Sequence, residues 1–344
     1  MTWIPILLTD PSASLRFLVL KNLLNRTDDD KELKELKTLR EMDPLITNLE
    51  KLQKSDGSFS SIENIQISTK HNLHLTSMVL QRLGYLEFDS TNSIVRKAVE
   101  YIFSKQNADG SWPLEINTER DDEEIGYQMI PNQTSIPLLG LAMSGYATDA
   151  RAEKAYNWLL ENRLEDGSWM TGISAGNCGG VAGYRKLPHS QWGCRSNTTA
   201  ALSCLAYHPK LCKSEATKRA LDLVLGTNIK NKSTMGFYLA RWLGLEPYFG
   251  QITYMAKFDI AHLLRLCWKI GASIHDTRIS EFIEFVRSLQ GKFGLWESPN
   301  YPRITRWLSY DLLYSLSNLE TKANWISLEP KTPFQAYPKK NKRF

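Results

Sequence analysis

Gln106-Asn107-Ala108-Asp109-Gly110-Ser111-Trp112 is one of four copies of a short phrase in this 344-residue chain. The others are Gln53-Lys54-Ser55-Asp56-Gly57-Ser58-Phe59, Asn162-Arg163-Leu164-Glu165-Asp166-Gly167-Ser168-Trp169 and Gln290-Gly291-Lys292-Phe293-Gly294-Leu295-Trp296. An amide side chain followed by a glycine and, two residues on, an aromatic marks one structural unit used repeatedly. The glycines at 57, 110, 167 and 294 lie 53, 57 and 127 residues apart. The last gap is close to twice the others, so one unit has lost its phrase, around Gly226 to Gly236. Self-similarity at this period implies stacked supersecondary units, each unable to bury its apolar face alone.

Each unit reads as two helices. The stretch before a phrase is apolar on one side only, as in Ile94, Val95, Ala98, Val99, Tyr101, Ile102 and Phe103, or Ile279, Phe282, Ile283, Phe285, Val286 and Leu289. That is the pattern of an amphipathic outer helix. After each phrase and a polar loop comes a more uniformly apolar stretch: 73–83, 134–142, 198–206, 258–270 and 308–319. These are inner helices, packed on more than one side. The Asp-Gly pair of the first three phrases suits a helix C-terminus, where glycine takes the left-handed conformation. Asp10-Pro11 opens a further helix carrying Leu15, Phe17, Leu18, Leu20, Leu23 and Leu24, as an N-cap followed by proline in the first turn. The sum is about six helical layers: an all-α chain, an α/α toroid of inner and outer helices, forming one domain over residues 1–330 with a basic tail at 331–344.

Composition sets limits. A chain of this length with 42% hydrophobic residues buries a large core. Cys178, Cys194, Cys204, Cys212 and Cys267 are odd in number and irregularly placed, which implies no disulfide framework and points to a reducing, cytoplasmic compartment. The apolar start, Trp3 to Leu8, has no basic leader and stops at Asp10 and Pro11; neither a signal peptide nor a membrane span is expected. The net charge of +5 owes four charges to Lys339, Lys340, Lys342 and Arg343. A solvated terminus explains them, with weak attraction to an anionic membrane surface as the other reading. No basic stripe with interleaved aromatics marks a nucleic-acid partner.

The phrase resembles the Q-x-x-x-G-x-W repeat of the squalene-hopene and oxidosqualene cyclases, shared more loosely by class II diterpene cyclases and protein prenyltransferase β subunits. The resemblance covers residues 10–320. It implies a toroid with an apolar central cavity and an isoprenoid substrate. The site is then expected where inner helices begin, because unpaired N–H groups and helix dipoles favour an anion there. Those starts carry His71 and His74, Gln133 and Thr134, Arg195, Asn197 and Thr198, Lys257 and Asp259, and Arg306, Tyr310 and Asp311. Arg195, Lys257 and Arg306, from three units, would hold a prenyl diphosphate head, with Trp192, Tyr254, Phe258 and Trp307 around its tail. No cofactor is implied beyond Mg2+ accompanying a diphosphate. The plainer reading pairs each cation with a local carboxylate, Lys257 with Asp259 for instance.

Class II cyclisation needs a strong, positioned carboxylic acid, with aromatic faces near the carbocation. The family supplies the acid in a D-x-D-D-T-A or D-C-T-A motif at an inner-helix start. The segment that matches best is Arg195-Ser196-Asn197-Thr198-Thr199-Ala200, which keeps Thr-Ala and lacks the aspartates. Asp259 and Asp311 are the substitutes, provided burial raises their pKa; helix capping is the competing role for both. Asp121-Asp122-Glu123-Glu124 reads as a solvated loop or a magnesium cluster. The prenyltransferase D-x-C zinc motif is absent. Cys204, His208 and Cys212 are interrupted by Pro209, and Cys178, His189 and Cys194 read as incidental thiols before a zinc set. The glycine-rich stretch from Met170 to Gly193 is either a lid or a crossover. Two readings stand: an atypical terpenoid cyclase-like enzyme, or a catalytically silent toroid that binds a lipid or protein. Carbohydrate processing, the third, lacks an identifiable carboxylate pair.

Overall fold

In a computed structural model the described residues are 3–62, 65–66, 72–112, 131–174, 177–178, 186–227, 233–245 and 258–322. Fourteen α-helices are described: α1 (Trp3–Leu8), α2 (Ala13–Leu18, continued by a π turn at Val19–Leu23), α3 (Lys31–Leu39), α4 (Pro44–Leu52), α5 (Asn72–Tyr85), α6 (Ser93–Ser104) and α7 (Pro131–Leu141, with a π turn at Ala142–Tyr146). They continue with α8 (Ala150–Glu161), α9 (Arg195–Tyr207), α10 (Glu215–Leu225), α11 (Phe237–Trp242), α12 (Ile260–Ile270), α13 (Thr277–Ser288) and α14 (Thr305–Lys322). None of the described helices is long and apolar enough to cross a membrane.

The chain forms an α/α toroid. The inner helices are α2, α5, α7, α9, α12 and α14; α5 packs on α7, α7 on α9, α9 on α12, α12 on α14, and α14 on the π turn that follows α2. The ring closes where Lys21 pairs with Glu87 at 2.7 Å and Asn22 donates to the same carboxylate at 2.7 Å. Inner helices are buried nearly all round; α9 buries every residue from Ser196 to Ala206. Outer helices bury one stripe, as α6 does with Ile94, Val95, Ala98, Val99 and Ile102. Their starts are capped by Asp43, Asn92, Asp149, Ser214 and Asp276, whose side chains accept from first-turn N–H groups.

The phrase is a staple between layers. Gln106 Nε2 donates to the Gly110 carbonyl at 2.9 Å and to the Arg151 carbonyl in the next outer helix, also at 2.9 Å; Gln53 does the same with Gly57 and Ile94. Each tryptophan indole donates to the carbonyl ten residues back, in its own outer helix: Trp112 to Ile102, Trp169 to Leu159, Trp296 to Val286. The aromatic's backbone N–H reaches a hydroxyl on the following inner helix: Thr76, Thr134, Thr198 or Ser309. So one phrase ties an outer helix, the next outer helix and the next inner helix together.

The phrase glycine does not sit at a helix C-terminus, as the sequence suggested. The helices end at or before the amide residue, and the glycine closes a separate turn in which Gly110 N donates to Asn107 O and Asn107 N to Ser111 O. Gly110 has φ +93°, and a Cβ there would lie 2.5 Å from the Lys154 backbone, so only glycine fits. Gln106→Ala removes two bonds to carbonyls and is expected to destabilise the fold by roughly 2 kcal/mol, read as a lowered midpoint in thermal denaturation. Among the described residues the Asn162 side chain bonds only its own helix, at Trp158 O. Asn162→Ala should therefore shift the midpoint less.

The degenerate fourth unit holds α11, which lies inside the ring. It touches helices on opposite sides: Trp242 Nε1 donates to Gln81 of α5 at 2.8 Å, while Tyr238 stacks on His262 of α12 with centroids 4.1 Å apart. Gly236, just before it, faces Ile304 and Leu308 at the start of α14.

Candidate functional site

Asp259 joins α11 to the ring. It is the N-cap of α12, accepting from His262 N at 3.0 Å, and it also accepts from Phe237 N and, at 3.3 Å, from Tyr238 N. One carboxylate thus caps two helices, in the place where other units use a threonine or serine hydroxyl to hold the phrase aromatic. The residue is 4% exposed. Burial pushes its pKa up to about 6 against the lowering effect of those three N–H bonds. His262 is held neutral, its pKa lowered to about 3 by burial and by Arg265. Its Nε2 lies 2.8 Å from Ser203 Oγ, whose hydroxyl donates to Thr199 O.

Because an unfolded aspartate titrates near 3.9, folded Asp259 keeps a proton between about pH 4 and 6 that the unfolded chain has released. Its contribution to stability is therefore greatest below pH 4 and falls as pH rises to 6, by up to about 3 kcal/mol. Denaturant titrations of the wild type and Asp259→Asn should show their stability difference changing across pH 4–6 and flat above 7.

The expected site residues separate into groups. Arg195, the first residue of α9, shares a small cavity with Asp259, Tyr238, His262 and Thr199; burial lowers its pKa. Arg306 does not converge with it, because its guanidinium pairs with Asp10 at 3.3 Å. Asn197 is occupied structurally: its amide donates to the Met170 and Thr171 carbonyls, and its oxygen accepts from Asn132 N. Trp192 is 41% exposed. Trp307 is buried, its ring 6.1 Å from that of Tyr85. Phe258 lies in a short parallel pairing of 258–259 with 233–234. His71, Tyr254, Lys257 and the acidic run 121–124 lie outside the described residues, as does much of the 170–193 stretch. His208 pairs with Glu153 at 3.1 Å, and among the described residues no three candidate ligands come together for a metal.

Asp311 is not at a helix start. It is the seventh residue of α14, with Tyr310 beside it, and it faces a second cavity near the other end of the ring. There it forms a buried ion pair with Arg265. Burial raises the pKa of the Asp311 carboxyl, and Arg265 and Lys269 oppose the rise without reversing it. For Arg265, burial alone would lower the pKa, and Asp311 more than reverses that. The guanidinium lying against it makes Asp311 a poorer proton donor than Asp259, which has no ion-pair partner among the described residues. Tyr310 Oη accepts from Asn22 at 2.9 Å. Arg265, His262, Tyr238 and Trp242 were not anticipated as site residues; a lone arginine and a lone histidine in the apolar run 260–270 were the available signal.

The family model of the squalene-hopene cyclase C-terminal domain matches residues 8–183. A probable squalene-hopene cyclase of Sinorhizobium fredii is 33% identical over 97 residues, 27% of this chain and 15% of that protein. The squalene-hopene cyclase of Zymomonas mobilis is 28% identical over 138 residues, 39% of this chain and 20% of that protein. The matched stretches thus span at most a fifth of those relatives. Among solved structures, a protein from Actinoplanes is similar over 80% of this chain and 98% of its own, with TM-score 0.35 and 14% identity. The type II terpene cyclase MstE from Scytonema is similar over 79% and 95%, with TM-score 0.31 and 12% identity.

Proposed function

Because the chain belongs to the squalene-hopene cyclase C-terminal domain family, we propose that it is a terpenoid cyclase-like protein that takes an isoprenoid into the ring and protonates it from Asp259. One observation carries this reading: Asp259 is a buried carboxyl with its pKa raised to about 6, at an inner-helix start, on a cavity shared with Arg195 and Tyr238. A carboxylic acid that keeps its proton up to about pH 6 is a reagent suited to alkene protonation. The Tyr238 ring, stacked on His262, is the aromatic wall of that cavity and the surface a carbocation would meet. Arg195 is the cation for an anionic head group. Asp311 is the second choice for the acid, because Arg265 pairs with it.

The second reading is a silent toroid that binds a ligand or partner without turnover. It draws on α11, whose buried Phe237, Tyr238 and Trp242 side chains stand in the middle of the ring. Incubation with C10 to C30 prenyl diphosphates and with squalene, followed by mass spectrometry, separates the two. The enzyme reading expects a cyclised product from the wild type, none from Asp259→Asn and continued turnover from Asp311→Asn at a temperature where it stays folded. A ligand-induced thermal shift without product would favour the silent toroid, and neither turnover nor shift would sink both.

A further inference from the structure

At the end of the ring away from Asp259, the ends of α5, α9 and α12 and the middle of α14 enclose a cavity of about 110 Å³. That is the room of roughly three to four water molecules. Five aromatic side chains wall it: Tyr85, Tyr207, Trp268, Tyr310 and Tyr314. Such walls suit an organic cation, but the protein already supplies the cations. Lys269 Nζ stands 4.0 Å over the Tyr207 ring and 4.6 Å over Trp268, and the Arg265 guanidinium lies 4.6 Å over Tyr85.

Charge and hydrogen-bond accounting both call for an acceptor. Asp311 pairs with Arg265 and Glu87 with Lys21, which leaves Lys269, half-exposed and attracted by Asp311 at longer range, without an ion pair among the described residues. The helix ends that would favour a cation are already satisfied. Arg40 donates to the Leu86 and Glu87 carbonyls after α5, and the Gly271 and Ala272 N–H groups close α12. Tyr85 Oη and Trp268 Nε1 are buried, line this cavity, and have no hydrogen-bond partner of good geometry for their protons among the described residues, while Arg265 faces the Tyr85 and Tyr207 hydroxyls. Tyr85 is 7% exposed. Burial raises its pKa far above neutral, so its hydroxyl stays a donor. Unsatisfied buried donors are costly, and two of them beside a half-exposed lysine that has no ion pair among the described residues suit a small acceptor-rich anion.

We propose that this cavity binds a short-chain monocarboxylate, its oxygens taking hydrogen bonds from Tyr85, Trp268 and Lys269 and its alkyl end lying against the tyrosine rings. The site is separate from the Asp259 cavity and does not depend on the reading given above for it.

Three probes of equal heavy-atom count test it: propionate, propionamide and tetramethylammonium. Propionate should bind saturably with Kd on the order of 1 mM by calorimetry. It should also move one indole N–H resonance, the one missing from Trp268→Phe. Lys269→Gln, at a half-exposed position, should weaken binding at least about tenfold, and propionamide should bind the wild type at least that much more weakly. Absence of saturable propionate binding, equal binding of propionamide, or preferential binding of tetramethylammonium would each overturn the proposal.

Discussion

Trp169→Ala is expected to destabilise the protein by about 4 kcal/mol, the upper range for a single core substitution. Trp169 is fully buried. Its indole fills the space between α8 and α9 and donates to Leu159 O at 2.7 Å. Its own backbone is fixed at both polar groups: the N–H by Thr198 Oγ1 at 3.0 Å, the carbonyl by Cys194 N at 2.8 Å. The surrounding chain therefore has little freedom to collapse into the void, and cavity and transfer terms add. The lost indole bond contributes about 1 kcal/mol more. Trp169→Phe keeps most of the volume and should lose less than half as much. Urea denaturation measures both, and a Trp169→Ala midpoint near that of the wild type would show that the phrase does not hold the layers together.

Asp311→Ala should be nearly as damaging, by about 3–5 kcal/mol. Arg265 is 6% exposed, and without Asp311 its guanidinium is left in the ring with the rings of Tyr85 and Trp242, 4.6 and 4.9 Å away, and the neutral Tyr207 hydroxyl to offset its charge. Cation–π contacts recover about 2 kcal/mol at best. The paired replacement Arg265→Met with Asp311→Leu removes both charges and should be close to the wild type in stability. A single substitution as mild as the double one would mean that the pair is not ionic. Then Asp311 would rank beside Asp259 as a candidate acid.

Much of the architecture was legible because it is periodic. The amide, glycine and aromatic recur with one hydrogen-bond scheme, so spacing alone located outer and inner helices. The fourth unit was not legible in the same way. Its phrase is gone, and the short α11 that replaces it is recognised only through contacts with α5 and α12, far away in sequence.

The site was legible in part for the same reason. Asp259 at an inner-helix start could be read from capping chemistry, but its second set of N–H donors comes from α11, more than twenty residues earlier. Arg306 and Asp311 sit where cations and acids were sought, yet their partners, Asp10 and Arg265, lie 296 and 46 residues away. No local pattern encodes such pairings. Asn197, where an acid would stand in the cyclase motif, is used to tie α9 to α7 and to the chain after Trp169.

The proposed acid is tested most directly by running the prenyl substrates in deuterium oxide. Proton transfer from Asp259, which exchanges with solvent, places one deuterium on carbon in each cyclised product, and Asp259→Asn yields no such product. Product formed without deuterium, or formed undiminished by Asp259→Asn, would contradict the account.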